Sequence, residues 1–203
     1  MYTKFKGVNW ISTKEIHFKD FVHSIICDTV NSCCIENVSC FFIRPKNLQA
    51  SSKYHVHGSY KINYDNWNKV FFSNCSDKVA FYDLLTKAVI NLKFDMIIIE
   101  NVDEIIEDFS KDEERAIGNF NKISNLLKML HSKSENFHSI VTFRSSSVPY
   151  YDNTLIRIFS IEMSKKSNDT VCVTLKSRDL KLEFEVNEMV KDISLIAVES
   201  LVE

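Results

Sequence analysis

The stretch Phe94-Asp95-Met96-Ile97-Ile98-Ile99-Glu100-Asn101-Val102-Asp103-Glu104 is an apolar run that ends in acid. Four consecutive apolar residues, Met96 to Ile99, suit a strand buried on both faces of a parallel sheet. Glu100, Asn101 and Asp103 then fall at its C-terminal end, the edge at which open α/β sheets bind ligands. In nucleotide-binding α/β proteins a carboxylate delivered this way works with an earlier glycine-rich loop whose N–H groups cradle phosphate. That loop is missing here. The glycines are Gly7, Gly58 and Gly118, and the pattern G-x-x-x-x-G-K-[ST] occurs nowhere in the chain.

Outward from this strand, the spacing of apolar residues predicts alternating elements. Ile16, Phe18, Phe21, Val22, Ile25, Ile26 and Val30 mark an amphipathic helix from about residue 14 to 33. Val38 to Ile43 reads as a short buried strand stopped by Pro45, and Val70-Phe71-Phe72 as another. Ser76 or Asp77 caps a helix with Val79, Tyr82, Leu85, Ala88, Val89 and Leu92 on its apolar face. A charged segment, Asp103 to Arg115, leads into a helix carrying Ile117, Phe120, Ile123, Leu127 and Leu130, and Ser139 to Arg144 gives a further strand. Strand and helix in alternation imply a parallel sheet with crossover helices.

After Pro149 the period changes to two. Val171, Val173 and Leu175 alternate with Cys172, Thr174 and Lys176, and Leu180, Leu182, Phe184 and Val186 with Lys181, Glu183 and Glu185. With Leu155 to Met163 these predict a three-strand antiparallel meander, followed by a tail, 188–203, that is a final helix or a partner segment. The predicted fold class is therefore α/β, one domain over 1–203 with its core at about 14–187.

The chain has 203 residues, enough to bury roughly 70% of its unfolded surface. Lys plus Arg number 25 against 27 Asp plus Glu, which lacks the basic excess of a protein that grips nucleic acid by itself. Six cysteines form no C-x-x-C pair, and the N-terminus has no signal-peptide core, so a soluble protein of a reducing intracellular compartment is expected. Cys27, Cys33, Cys34 and Cys40 are read as small buried residues rather than zinc ligands, because paired loop spacing is absent. His55 and His57 receive no role.

The order of elements from about residue 14 to 187 resembles the ATPase core of RecA-like strand-exchange recombinases, and especially their degenerate paralogues. The resemblance rests on the first helix and the strand Ser39 to Arg44, the strand Lys69 to Phe72, the helix Asp77 to Asn91, the Walker-B-like Met96 to Glu100, the helix Ile117 to Leu130, the strand Ile140 to Arg144, and the meander. Departures are informative. Where the family carries its phosphate loop this chain has Gly7-Val8-Asn9-Trp10-Ile11-Ser12-Thr13-Lys14, with the second glycine and the lysine replaced and Lys14 one position late. Arg144 stands where the family has a γ-phosphate-sensing glutamine. One DNA loop maps near Ile106 to Glu114, where Glu107, Asp108, Asp112, Glu113 and Glu114 repel phosphates.

The resemblance implies a pseudo-ATPase without catalytic residues, metal or cofactor. It implies a nuclear subunit that heterodimerises with another recombinase paralogue, as in Shu-type complexes, and remodels recombinase filaments on single-stranded DNA during homologous recombination, with weak or no direct DNA binding alone and no membrane contact. Glu100, Asn101, Val102 and Asp103 are then a degenerate Walker B and a candidate partner interface, and Arg144 a candidate arginine reaching a partner's nucleotide. Each has a plainer reading: Glu100 as a cap of the next turn, and Arg144 in a solvent-facing ion pair. Two alternatives stand beside this one. The first is an Elongator-like RecA-fold subunit in tRNA modification; the second is an atypical NTPase using Ser12, Thr13 and Lys14.

Overall fold

The computed structural model describes residues 5, 7–13, 18–46, 52–57, 65, 67, 70–75, 77–91, 94–106, 113–134, 136–144 and 156–201. Along the chain these form β1 (Gly7–Ser12), α1 (Phe18–Ile35), β2 (Cys40–Pro45), β3 (His55–Val56), β4 (Phe71–Cys75) and α2 (Lys78–Asn91). Then come β5 (Met96–Ile99), α3 (Val102–Ile105), α4 (Glu113–Lys133), β6 (His138–Phe143), β7 (Ile156–Lys165), β8 (Thr170–Lys176), β9 (Leu180–Asn187) and β10 (Asp192–Ser200). Among the described residues the strands join in one mixed sheet of order β3-β10-β9-β8-β7-β1-β6-β5-β2-β4. From β7 across β1, β6, β5 and β2 to β4 every pairing is parallel, and from β7 through β8 and β9 to β10 every pairing is antiparallel.

Side-chain alternation along the parallel strands builds two cores. Phe41 and Ile43 of β2, Ile97 and Ile99 of β5, and Val8 and Trp10 of β1 face α2 and α4. Cys40 and Phe42, Met96 and Ile98, and Ile11 face the other side, where α1 packs. The antiparallel strands wrap onto that second side, with Phe21 of α1 edge-on to Phe184 of β9 at 5.3 Å between centroids. The sheet therefore lies between one helix and two, which is the α/β class that the alternation of elements predicts.

Three expectations need correction. First, Gly7–Ser12 is no loop remnant but the central strand β1, between β6 and β7. It holds that place because Trp10 packs 4.3 Å from the Phe120 ring and donates its Nε1–H to Ser124 Oγ, while Asn9 Nδ2 donates to the carbonyls of Phe5, Gly7 and Ser139. The buried N–H groups of the Asn9 amide therefore find carbonyl partners instead of being stranded in the core. Second, residues 192–200 are neither helix nor a free partner segment. They form β10, a fourth meander strand that buries Ile193 and packs Leu195 on the core. Third, α1 runs past its expected end at about residue 33 to Ile35, whereas Pro45 ends β2 as the sequence predicts, in register with Cys75 of β4.

Smaller differences follow helix phase. On α2 the buried residues are Phe81, Tyr82, Leu85, Ala88 and Val89, and Val79 is exposed. On α4 Ala116 joins Phe120, Ile123, Leu127 and Leu130 in the core, with Ile117 at its margin. All five cysteines at 27, 33, 34, 40 and 75 are buried free thiols, in line with the reading as small core residues. His55 and His57 are exposed, and His57 faces Asp192 at 3.7 Å. No helix among the described residues is long and apolar enough to cross a membrane. The acidic segment 107–112, Lys14 and Ser145 to Pro149 lie outside the described residues.

Candidate functional site

The sheet's parallel strands present their C-terminal ends side by side: Ser12 and Thr13 from β1, Phe143 and Arg144 from β6, Glu100 and Asn101 from β5, and Arg44 from β2. The C-terminal edge of a parallel sheet is where α/β proteins place ligands, in a crevice beside the strand ends. Here the crevice is filled by the protein's own side chains. The first half of α1 lies against it and inserts His23 and Cys27, four residues apart on one face.

His23 Nδ1 stands 2.6 Å from Glu100 Oε1, and Cys27 Sγ stands 3.4 Å from His23 Nε2. All three are buried, Cys27 completely and Glu100 at 2% exposure. Burial, reinforced by the Glu100 charge and opposed by Arg44, pushes the Cys27 thiol up to about 12. The sulfur therefore keeps its proton, and in the tautomer with hydrogen on Nδ1 the ring donates to Glu100 and accepts from the thiol. A Cys-His-acid order matches the arrangement of an activated nucleophile. A thiol held protonated and without solvent access is not one, so the relay serves to clamp α1 onto β5.

Glu100 Oε2 has no hydrogen-bond partner among the described residues and is buried, as is Arg44 Nε. The Arg44 guanidinium lies 5.6 Å from the centre of the Phe72 ring. These atoms do not fit a magnesium site, which needs an octahedron of oxygens at close to ideal geometry. One Glu100 oxygen is already engaged by an imidazole, and no group of three or more metal-ligating side chains occurs among the described residues. Nor does Thr13, the one described residue between β1 and α1, keep a donor for a phosphate. Thr13 spends both its N–H and its hydroxyl on Phe143 O, at 2.7 and 3.1 Å.

Above the buried relay the chain turns sharply. Asn101 is left-handed at φ 49°, a conformation that asparagine tolerates better than most residues. Its N–H donates to Thr142 Oγ1 at 2.8 Å, and that hydroxyl donates back to Asn101 Oδ1 at 3.4 Å. The turn starts α3 and sets Asp103 to accept from the backbone N–H of Arg144 at 3.1 Å. Burial holds the Asp103 carboxyl above its usual range, although the bonds it accepts from its own backbone and from Arg144 pull the other way. The Arg144 side chain pairs with Glu104, and Lys19 approaches the same carboxylate at 3.6 Å. Burial, then the Arg144 charge, lowers the Lys19 ammonium against the pull of Glu100, Asp20 and Asp103.

The structure thus brings Glu100, Asn101, Val102, Asp103 and Arg144 into one locus, with Arg144 in an ion pair to Glu104 of its own chain. Glu100, Asn101 and Val102 are buried within their own domain, so the surface they support is made by Asp103, Glu104, Arg144 and Lys19. His23, Cys27, Arg44 and Thr142 were not legible as site residues. The one local signal was the four-residue spacing of His23 and Cys27, which sets them on one face of α1. Comparison with protein-family models and with curated proteins finds no match for this chain.

Proposed function

We propose that this chain is a non-catalytic RecA-like subunit, a recombinase paralogue that acts by association rather than by turning over nucleotide. The observation that carries the reading is the state of Glu100. At the position of a Walker B carboxylate it is buried and bonded to His23 Nδ1 at 2.6 Å, where an active site would leave it open to magnesium and phosphate. Two features support it. The stretch aligned with a phosphate loop is strand β1, and a parallel core is followed along the chain by antiparallel strands. In this reading the protein pairs with a second, nucleotide-binding paralogue in the nucleus and shifts recombinase filaments on single-stranded DNA between conformations through differential binding alone.

Affinity purification of the tagged protein from its native cells, followed by mass spectrometry and nucleotide-binding assays on the recovered complex, tests this. Recovery of a recombinase or an ATP-binding paralogue is the expected result, together with altered filament stability when the complex is added to recombinase on single strands. Recovery of tRNA-modifying subunits would move the assignment to an Elongator-like assembly. ATP turnover by the chain alone that is abolished in Glu100→Gln would overturn the non-catalytic reading.

A further inference from the structure

Strand β4 ends the sheet, paired with β2 on one side and with no strand on the other among the described residues. Exposed edge strands template association, and folded proteins blunt them with charges, proline or bulges. β4 carries none of these: its sequence is Phe71-Phe72-Ser73-Asn74-Cys75, and its register with β2 runs unbroken over five residue pairs. The opposite end of the sheet is protected, since β3 covers the start of β10, a bulge interrupts β10 between Leu195 and Ala197, and Glu199 and Lys181 add charge.

Both faces of β4 are apolar and open. Phe71 is 60% exposed and Phe72 45%. Phe71 borders a groove of about 500 Å³ lined by Phe41, Leu84, Lys87, Ala88 and Phe94. Phe94 is held against Phe41 and Phe71 at 5.1 Å between centroids in each case. On the other face Phe72 meets the Phe42 ring at 5.4 Å. A preformed aromatic floor beside an unpaired strand is a surface prepared for an added strand.

The charge on the groove's rim says which partner. Lys87 lines the groove, and Asp83, one turn earlier on α2, pairs with it at 2.6 Å; both are more than half exposed. A rim of one cation and one anion offers no field to a partner of single charge sign, but it is complementary to itself under a two-fold axis. We propose that the β4 edge is a homodimer interface in which a second copy of this chain adds its own β4 antiparallel about Ser73. Phe71 then lies opposite the partner's Cys75, Phe72 opposite the partner's Asn74, and Lys87 reaches the partner's Asp83 across the antiparallel α2 helices. The inference does not rest on the recombinase reading, because it concerns the chain alone.

Sedimentation equilibrium of the purified full chain across the micromolar range tests it. The wild type is expected to dimerise, and Phe71→Lys to be monomeric; its side chain is exposed, so the fold is spared, which circular dichroism checks. Asp83→Lys should weaken the dimer by about tenfold through two like-charge contacts, and Asp83→Lys combined with Lys87→Asp should restore it. A wild type that stays monomeric throughout the range overturns the proposal, as does a dimer indifferent to Phe71→Lys or a charge swap that fails to recover association. A monomer that instead binds extended peptides through Phe71 would assign the edge to another protein.

Discussion

His23 bridges two buried groups, Glu100 and Cys27, so its removal is felt twice. His23→Leu leaves Glu100 with both carboxylate oxygens unpartnered in the interior and should cost about 3 kcal/mol. A urea midpoint unchanged from wild type would show that the clamp contributes nothing. Replacing Glu100 as well, in His23→Leu/Glu100→Leu, should recover part of the loss, because no charge is then stranded. Cys27 gives a second expectation. Its folded pKa of about 12 exceeds the ~8.5 of an unfolded thiol, so the folded state holds the proton more tightly. The stability linked to it is complete below the unfolded value and drains as pH rises toward the folded one. Alkylation at neutral pH should accordingly modify half-buried Cys172 first, and Cys27 only after denaturant is added.

Helix ends and helix interiors carry their own expectations. Asp77 Oδ1 accepts from Ala80 N–H at 2.9 Å, so Asp77→Ala should cost about 1 kcal/mol as the first turn of α2 loses its cap. Gly118 lies in the middle of α4 with open space where a Cβ would stand, and Gly118→Ala should raise stability by about 0.5–1 kcal/mol, read as a higher thermal midpoint. The cap, the buried stripe of α4 and the run Met96 to Ile99 were legible because each is a local pattern. β1 was not, because what makes Gly7–Ser12 a strand is distant. Asn9 breaks its apolar run and is excused only by carbonyls of Phe5, Gly7 and Ser139, the last of them 130 residues away. β10 was obscured by its bulge, which shifts the inward face between Leu195 and Ala197 and spoils the period of two. Val79 was misplaced by helix phase, since Phe81 fills the core position. The relay of His23 and Cys27 with Glu100 joins positions that only the folded sheet brings together.

Across the whole molecule the meander closes one of the two cores. Leu182, Phe184 and Val186 of β9 and Ile193 of β10 are buried against α1, and Tyr54, whose hydroxyl donates to Glu188 at 2.7 Å, binds the segment before β3 to the same end. Truncation before Asp192 should therefore remove a wall of the core and yield aggregated protein. A soluble truncated chain with an unchanged unfolding midpoint would mean that β10 is a dispensable appendage. The position of β1 has a further consequence, for how the chain is made. Its residues precede those of every other strand in the sheet, yet Gly7 pairs with His138 and Val8 with Ile156, so Val8, Trp10 and Ile11 wait for β6 and β7 before they find strand neighbours. Such long-range closure slows folding and leaves sticky segments unguarded on the way. Until β6 is made, β1 has no strand to pair with, and a fragment ending before β6 has no middle to its sheet.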